Sequence, residues 1–364
     1  MYINFWYPVC TSEELEDKPV SIEIFGLRFV AYRDSNNAAH VLSDTCAHRG
    51  GSLSQGRVEG DCIVCPYHGW QYEGSGRCIN IPSQQTGKAP GRAKVDSYPV
   101  EERYGIVFAF LGDLPESERL PMYEIPQIHF DDWRASKPLV LNVNCYYERS
   151  VENGLDPWHN EFVHPSQGLP IPNPETVVIE EIPYGTKFMV GFGEVQDKMT
   201  QLNDLRSDPD HLRAGSWYYG PNVLVTDIQF SATNSFIQYG FEAPLNENTT
   251  RIYMVNLRNV MLEPELDEKV LEINRRVALE DVAILENLWP VRTPDTTTKE
   301  LLTEGDEMVV RYRRHLKEWD AKGWRIDVKT LQKNIEDIAY AVPCPARRES
   351  GNWVLDPVPT IPAA

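Results

Sequence analysis

The sequence lacks the features that mark a nucleic-acid-binding, membrane-spanning or secreted protein. Its 364 residues include 35 Lys and Arg against 54 Asp and Glu, which gives a formal net charge of −19. Phosphate backbones are bound by basic surfaces, so this balance argues against a nucleic-acid partner. No apolar run approaches the length that spans a bilayer, and no N-terminal stretch has the basic and then apolar pattern of a signal peptide. We therefore expect a cytoplasmic protein that has no membrane association.

The cysteines do not form the pattern of a disulfide-linked scaffold. There are seven of them, an odd number, and three fall within residues 46–65. The scattered positions of the other four favour free, structural thiols in a reducing compartment. These four are Cys10, Cys78, Cys145 and Cys344.

The chain is long enough for two domains, and its patterns predict an α+β fold. Up to about residue 111, short alternating segments and Gly or Asn turns predict a small antiparallel β domain, with a hairpin around Gly74 to Gly76. Five strand-like segments between residues 176 and 256 predict one twisted antiparallel sheet flanked by helices. We expect an N-terminal all-β domain, residues 1–140, and a C-terminal domain, residues 141–364.

Two short loops of the first domain each carry one thiol and one imidazole. They are Cys46-Ala-His48-Arg-Gly-Gly and Cys65-Pro-Tyr-His68-Gly-Trp. Two Cys and two His suit either a zinc ion or a [2Fe–2S] cluster of the Rieske kind, in which two histidines replace two cysteines on one iron. In zinc sites, one loop usually carries two Cys and the other two His. Each loop here carries one of each and so offers one ligand to each iron, which favours the cluster. Cys62 forms Cys-x2-Cys with Cys65 and keeps zinc as the alternative; we expect Cys62 to be a packing residue.

The two loops resemble the Rieske motif of the aromatic-ring-hydroxylating and related Rieske non-haem iron oxygenases. Rieske proteins of respiratory complexes carry a further Cys in each loop, and these two form a disulfide. Gly51 and Tyr67 stand at those positions here, so the resemblance is to the oxygenase and ferredoxin branch. It implies that residues 1–140 hold the cluster through loops 46–48 and 65–68, and that the cluster accepts electrons from a reductase.

The segment Glu152-x3-Asp156-x2-His159-x4-His164 gathers two imidazoles and two acids within a short stretch. Taken alone, two histidines five positions apart are equally well a satisfied, partly buried pair. The segment is similar, however, to the acid-x3-Asp-x2-His-x4-His pattern of the same oxygenases. That resemblance implies that His159 and His164 bind a mononuclear Fe(II) in the catalytic domain, residues 141–364. Two histidines and one carboxylate leave coordination positions open for O2 and substrate.

A predicted helix from about residue 265 to 288 offers the carboxylate. Asp281 lies within its apolar stripe, where an unpaired carboxylate is costly and needs a metal or a cation. A salt bridge to Arg275 or Arg276 is the alternative. The segment 279–286 resembles the acidic segment that carries the third ligand in the family, although Trp289 stands where the family often has Gln. The stripe consists of Val270, Val277, Leu285 and Leu288.

Together the motifs predict the oxygenase component of a Rieske non-haem iron system, with a [2Fe–2S] cluster and a mononuclear Fe(II) as cofactors. The resemblance implies a small organic substrate, O2 and a separate NAD(P)H-dependent reductase that acts directly or through a ferredoxin. No dinucleotide fingerprint is present, since Gly191-Phe-Gly193 lacks the third Gly. We expect hydroxylation or dealkylation, and dihydroxylation is the other family reaction. The competing functions are a Rieske electron carrier without oxygenase activity and a zinc-binding interaction protein.

The family resemblance also implies an assembly. In these oxygenases a head-to-tail ring of three chains brings the cluster of one subunit close to the iron of the next. We expect a homotrimer without a companion β-subunit, as in members that favour monooxygenation and dealkylation. By position, Asp156 would link His68 of one subunit to His159 of the next. Asn153 either edges the iron site or is a surface or capping residue.

Two further expectations concern the pocket and the tail. Aromatic residues on or near the catalytic strands are candidates for the pocket lining, although most such residues belong to a core. The charged segment 311–317 is interpreted as the solvated face of a helix. The aromatic candidates are Trp217, Tyr218, Phe230, Phe236 and Phe241.

Overall fold

The computed structural model describes residues 1–16, 18–84, 88–164, 172–192, 212–294 and 296–363. The chain divides into two compact units. The N-terminal unit comprises Met1–Met122 and Glu318–Ala364, and the central unit comprises Tyr123–Lys317. The last segment of the chain therefore belongs to the N-terminal unit, whereas the expected division placed it with the catalytic domain. The functional boundary after residue 140 stays a prediction.

The N-terminal unit opens with short antiparallel strands. They are β1 (Phe5–Thr11), β2 (Val20–Ile24), β3 (Leu27–Arg33), β4 (Ala39–Ser43), β5 (Arg57–Glu59), β6 (Cys62–Val64), β7 (Gln71–Glu73), β8 (Cys78–Asn80), β9 (Ser97–Tyr98), β10 (Val100–Arg103) and β11 (Ile106–Leu111). Three sheets result, with strand orders β1–β11–β10, β2–β3–β4–β9 and β5–β6–β7–β8. The predicted antiparallel β domain is confirmed.

Tight turns explain two of these hairpins. Strands β2 and β3 join through Phe25 and Gly26, whose positive φ values of 62° and 73° fit the twist of a two-residue hairpin turn. Strands β7 and β8 form the hairpin that was predicted around Gly74 to Gly76. Gly76 has φ of 81°, and a Cβ there would lie 2.1 Å from the Val95 carbonyl oxygen, so only glycine fits.

The central unit contains one large antiparallel sheet. Its strands are β12 (Arg134–Ala135), β13 (Leu139–Val143), β14 (Val178–Ile182), β15 (Gly185–Gly191), β16 (Arg213–Tyr219), β17 (Val223–Gln229), β18 (Ser235–Pro244) and β19 (Thr250–Arg258). In the described residues the strand order is β12–β19–β18–β17–β16–β15–β14, and β13 also pairs with β19. The five strand-like segments of the sequence correspond to β14, β15, β17, β18 and β19, so the predicted sheet is confirmed.

Helices accompany this sheet. They are α1 (Tyr147–Gly154), α2 (Asn160–Val163), α3 (Asp267–Leu285) and α4 (Glu307–Asp320). The predicted helix over residues 265–288 is present as α3. Its Ala278 and Leu285 pack in one apolar cluster with Leu141 of β13 and Ile252 of β19, which fixes the helix against the sheet. Within the described residues, no helix combines the length and the apolar character needed to cross a membrane.

The C-terminal segment completes the core of the N-terminal unit. It contains α5 (Val328–Asn334), β20 (Tyr340–Ala341), α6 (Ala346–Glu349) and β21 (Asp356–Pro357). Ala341 and Leu355 lie in the same apolar cluster as the residues around the two cysteine–histidine loops. The Arg347 guanidinium donates two hydrogen bonds, of 2.6 and 2.7 Å, to the fully buried carboxylate of Asp96. These contacts explain why the segment joins the N-terminal unit.

The first turn of α3 is anchored by an ion group. The Asp267 carboxylate accepts hydrogen bonds from Arg134 Nε at 2.6 Å and from Arg258 Nη2 at 2.5 Å. Arg258 is only 1% exposed. The hydrogen bond from Arg134, supported by Arg258, holds the pKa of Asp267 well below its usual range. An acid in the first turn also suits the positive end of the helix dipole.

We expect Asp267→Asn to lower the free energy of unfolding by about 2 kcal/mol at pH 7, because the buried Arg258 charge loses its carboxylate. The folded-state pKa of Asp267 lies below its unfolded value, so its contribution is complete above roughly pH 4 and is lost as the pH falls further. Urea unfolding at pH 7 and pH 3 measures both effects. Glu268→Gln removes the same charge from an exposed position of the same turn and serves as the control. Equal stability losses in the two variants would contradict the prediction.

Candidate metal centres

The two cysteine–histidine loops are tight backbone turns. In the first, the Cys46 N–H donates to the Gly51 carbonyl at 2.9 Å, and in the second, the Cys65 N–H donates to the Trp70 carbonyl at 2.8 Å. The loops approach each other closely, because a Cβ at Gly51 would lie 3.1 Å from the Cys65 sulfur. A larger residue at Gly51 would therefore crowd that sulfur.

Of the four predicted cluster ligands, the two cysteines are buried and the two histidines are exposed. The thiols of Cys46 and Cys65 face the core and are 2% and 1% exposed. The imidazoles of His48 and His68 are exposed, and their ring centroids lie 4.5 Å apart. Trp70 stacks on His48 at 4.6 Å with nearly parallel rings. The loops therefore present sulfur ligands on the inside and nitrogen ligands at the surface.

This donor set fits a two-iron cluster better than a single zinc ion. A single ion needs at least three ligand atoms close together. Across the described ranges, only one group of His, Cys, Asp or Glu side chains brings three such atoms within 4.8 Å of one another, and it lies in the central unit. The four loop residues do not form such a compact group, so their donors are too spread out to share one ion. A cluster with thiolates on one iron and imidazoles on the other accommodates that spread. Cys62 is buried and free, as expected for a packing residue.

One residue near the thiols was missed by the sequence patterns. The Tyr72 hydroxyl lies 3.1 Å from the Cys46 sulfur, and the side chain is fully buried. Burial, together with the contact to Cys46, holds the pKa of Tyr72 well above its usual range, so the hydroxyl keeps its proton and can donate to the sulfur. In the sequence Tyr72 is only a strand residue of a hairpin, and no ligand spacing marks it.

The segment that carries the two central histidines is broken rather than one continuous helix. Helix α1 ends at Gly154, and Asp156 caps a 3-10 turn, Pro157–His159, by accepting a hydrogen bond from the Trp158 N–H at 2.8 Å. Proline at the first position of the turn and an acid at its N-cap favour this restart. His164 then follows the short α2. The break turns both imidazoles toward the same point.

His159, His164 and Asp281 form the compact group of the central unit. The two Nε2 atoms are 3.3 Å apart, and Asp281 Oδ1 lies 3.5 Å from His159 Nε2 and 3.2 Å from His164 Nε2. Each Nδ1 instead faces an oxygen acceptor, the Asp156 carbonyl for His159 and Glu280 Oε2, at 3.0 Å, for His164. Protons at Nδ1 leave the Nε2 lone pairs directed at each other and at the carboxylate. Donors at this spacing can share one ion about 2 Å from each.

The electrostatics of this group favour a cation. Burial alone would lower the pKa of His164, but Asp281 and Glu280 raise it above its ordinary value. Burial likewise opposes ionisation of Asp281, yet the two imidazoles hold its pKa well below its usual range. Asn153 Nδ2 donates to Asp281 Oδ1 at 2.9 Å and orients it, so Asn153 edges the site.

A buried ion network lies beside the motif and corrects one expectation. The Arg313 guanidinium donates to both carboxylate oxygens of Glu152, at 2.6 and 2.8 Å, and to Glu300 at 2.7 Å. Arg149 reaches Glu300 from the other side. The interpretation of residues 311–317 as a solvated face is wrong at Tyr312 and Arg313, which are 0% and 9% exposed. Charge density in a sequence cannot show that an arginine has a buried acid as its partner.

A cavity of about 130 Å³ adjoins the His–His–Asp group, and the residues that line it include Asn153, His159, His164 and Asp281. Its sheet wall is mostly apolar but carries Ser216, Thr226 and Gln238, which face one another across β16, β17 and β18. None of the five aromatic candidates is among its described lining residues, whereas Phe188 is. Trp217 and Phe241 alternate to the sheet face opposite Ser216 and Glu242, which explains their absence.

Known families match both parts of the chain. Residues 5–99 match the model of the Rieske [2Fe-2S] domain, and residues 143–322 match that of the vanillate O-demethylase oxygenase C-terminal domain. The fold and the two donor sets thus define an iron-dependent oxidoreductase with a cluster domain and an oxygenase domain. The chain belongs to the Rieske oxygenases, which use a [2Fe–2S] cluster and a mononuclear iron.

Similar proteins cover most of the chain. Methylxanthine N1-demethylase NdmA of Pseudomonas putida is 26% identical over 330 residues, 86% of this chain and 88% of that protein. The oxygenase component of 3-ketosteroid-9-alpha-monooxygenase of Mycobacterium tuberculosis is 28% identical over 86% of this chain and 80% of that protein. The structure of Pseudomonas putida NdmA with caffeine has a TM-score of 0.73 at 24% identity, covering 88% of this chain and 91% of that one. At this identity the structural likeness concerns the fold.

The predicted family, fold class, reaction class and cofactors are confirmed. The protein is the oxygenase component of a Rieske system, and it takes O2, a small organic substrate and electrons from a separate reductase or ferredoxin. The assignment of individual ligands stays a prediction.

We expect Tyr72→Phe to lower the reduction potential of the cluster by roughly 20–60 mV, because a hydrogen bond to sulfur stabilises the reduced, more negative state. A redox titration followed by electron paramagnetic resonance measures the shift. Tyr67→Phe changes the same residue type in the neighbouring loop, where Tyr67 is 56% exposed, and should leave the potential within a few millivolts of the wild type. An unchanged potential in Tyr72→Phe would show that the hydroxyl does not act on the sulfur.

Proposed function

We propose that the cluster is held by Cys46, His48, Cys65 and His68, and that one Fe(II) is held by His159, His164 and Asp281. The observation that carries the second assignment is the convergence of three electron-pair donors whose lone pairs face one another within 3.2–3.5 Å. Such crowding is unfavourable unless a cation or a proton lies between the donors, and of these a metal ion satisfies all three donors at once. A face of two imidazoles and one carboxylate also suits Fe(II) chemistry with O2, because it leaves coordination positions open.

When bound, the cluster supplies single electrons and the iron activates O2 beside the substrate. The protein residues prepare the site for this chemistry. The Asp156 carbonyl and the Glu280 carboxylate hold protons at Nδ1 of His159 and His164, so that both Nε2 atoms stay available. Asn153 fixes the rotamer of Asp281. The apolar walls of the adjoining cavity exclude water and hold the substrate next to the three donors.

We further propose that the substrate is small and carries no negative charge. No Lys or Arg is found among the described residues that line the cavity, whereas Asp156, Glu242 and Asp281 are. An anionic substrate would therefore have no cationic side chain as a partner there. A volume of about 130 Å³ suits a ligand of about one aromatic ring.

Monooxygenation, and dealkylation in particular, is the reaction we favour within the class. The relatives that match over more than four-fifths of the chain support this choice: two methylxanthine demethylases, a ketosteroid monooxygenase and a methylsterol monooxygenase. Relatives named as dioxygenases of chlorobenzoate and phenoxybenzoate match 44% of the chain each. Dihydroxylation is therefore the second candidate reaction.

The assembly that we propose is a homotrimer, in which Asp156 conducts electrons between His68 of one subunit and His159 of the next. Family resemblance supports both the ring and the role of Asp156. In the structure it is the main-chain carbonyl of Asp156 that faces His159 Nδ1, whereas its carboxylate accepts from the Trp158 N–H. An NAD(P)H-dependent reductase would supply the electrons. The five cysteines that are not proposed cluster ligands are buried and free, which supports a reducing compartment, for which we propose the cytoplasm.

We expect anaerobically purified protein to contain about three iron and two acid-labile sulfide per chain. Asp281→Ala should retain about two iron and two sulfide, because it removes one ligand of the mononuclear site only. Glu272→Gln, on an exposed face of the same helix, should keep all three iron and serves as the control. Metal and sulfide analysis measures these contents. Two iron in the wild type, unchanged after addition of Fe(II), would favour the electron carrier, and zinc without sulfide would contradict both readings.

We expect Asp156→Asn to slow turnover by about 10- to 100-fold while both metal centres are retained. Asn still accepts the capping hydrogen bond from the Trp158 N–H, so the local turn is preserved and the change removes only the charge. The measurement is O2-dependent reoxidation of the chemically reduced cluster, with the iron content determined in parallel. Glu161→Gln removes an exposed charge from the same segment and should reoxidise at the wild-type rate. Wild-type reoxidation by Asp156→Asn would exclude Asp156 from the electron path.

A further inference from the structure

A third acid, Glu242, lines the cavity besides Asp156 and Asp281, and it is not one of the proposed iron ligands. Glu242 of β18 is 1% exposed, and its Oε1 accepts a hydrogen bond from the Ser150 hydroxyl at 2.7 Å. Its Oε2 is buried and has no hydrogen-bond partner in the described residues. Both Glu242 and Ser150 line the cavity. A buried carboxyl oxygen without a partner is costly, so a purely structural role does not account for it.

The surroundings of Glu242 favour its neutral form. Burial raises the pKa of Glu242 to about 8, and the Ser150 hydrogen bond offsets this only in part. Burial first, and then the Glu242 carboxyl group when it is ionised, raise the pKa of the nearby buried Cys145 thiol. Asn222 Nδ2 donates to the Glu242 main-chain carbonyl rather than to its carboxyl group. The other titratable residues lining the cavity are Asp156, His159, His164 and Asp281.

The hydrogen bond with Ser150 favours one position for the carboxylic proton. Because Oε1 accepts from the Ser150 hydroxyl, the carboxylic proton belongs on Oε2. Oε2 is the atom that lacks a partner in the described residues. The acid therefore offers one hydrogen-bond donor within an otherwise largely apolar cavity.

We propose that Glu242, oriented by Ser150, is a specificity-determining residue that donates a hydrogen bond from Oε2 to a carbonyl oxygen of an uncharged substrate. This inference rests on the proposed function, because it assumes that the cavity beside the His–His–Asp group receives the substrate. It narrows the substrate class to small neutral molecules with a carbonyl group at the end away from the reacting carbon. A site built around a buried polar group discriminates strongly against an analogue that lacks the matching atom.

Three probes with the same carbon skeleton test the inference by isothermal titration calorimetry on the iron-loaded, anaerobic enzyme. Acetophenone carries a carbonyl acceptor, ethylbenzene carries no polar atom, and 1-phenylethylamine carries a cation. We expect the wild type to bind acetophenone roughly tenfold or more tightly than ethylbenzene. Glu242→Leu should abolish this preference. Glu242→Gln should keep it, because the amide can donate.

The pH dependence separates the acid from the amide. Acetophenone affinity in the wild type should fall as the pH rises through about 8, since the donor proton is lost. Glu242→Gln should show no such fall. Asp227→Asn is the matched control: Asp227, on β17, is also buried with one carboxyl oxygen unpaired among the described residues, but it is not a described lining residue of the cavity. It should leave both the preference and its pH dependence unchanged.

Infrared difference spectroscopy supplies a readout that needs no ligand. The wild type at pH 7 should show the carbonyl stretch of a protonated carboxylic acid that is missing from Glu242→Gln. Absence of that band would overturn the proposal, as would equal or absent binding of acetophenone and ethylbenzene. Tighter binding of 1-phenylethylamine than of acetophenone, lost in Glu242→Gln, would overturn it in favour of a cationic substrate. Failure of the proposed function is distinguishable, because it would appear as a missing third iron in metal analysis, whereas the infrared band of Glu242 is measured without reference to the iron.

Discussion

Three electron-pair donors of the central unit are directed at one point, and this crowding is the constraint on which the catalytic half depends. His159 Nε2, His164 Nε2 and Asp281 Oδ1 lie within 3.5 Å of one another. Imidazoles and a carboxylate at that distance are stable only with a cation or a proton among them. The break after α1 and the packing of α3 on the sheet both serve this convergence. Under the proposed assignment of these three residues to the mononuclear iron, the site would keep open coordination positions beside a cavity, which is what O2 activation requires.

Buried charges hold the elements that carry these donors. Asp267 fixes the start of α3 through Arg134 and Arg258, and Glu152 fixes the end of α1 through Arg313. Buried ion pairs add little net stability because desolvation offsets their attraction, but breaking one is costly. Their directional hydrogen bonds instead determine position. Arg134 and Arg313 come from positions far along the chain from the acids they bind, and each network restrains an element from which a donor or its partner projects.

In the N-terminal unit, the two cysteine–histidine loops have a buried side and an exposed side. Thiols at the core lie in a dry environment with the Tyr72 hydroxyl near the Cys46 sulfur, whereas the imidazoles of His48 and His68 lie at the surface. Under the proposed ligand assignment, the two histidines would place their iron on the exposed side, where an electron partner could reach it. Residues from the far end of the chain, Ala341 and Leu355, complete the core behind the loops.

Local patterns in the sequence determined the two cysteine–histidine loops, the pair His159 and His164, and the buried face of α3 that carries Asp281. Ligand spacing and helical period are properties of short segments, so they can be read without the fold. Only the tertiary structure decided the contacts that complete the sites. Asn153 meets Asp281 across 128 positions, Ser150 meets Glu242 across 92, and Arg313 meets Glu152 across 161. No local pattern carries these pairs, because each depends on how the helices pack against the sheet.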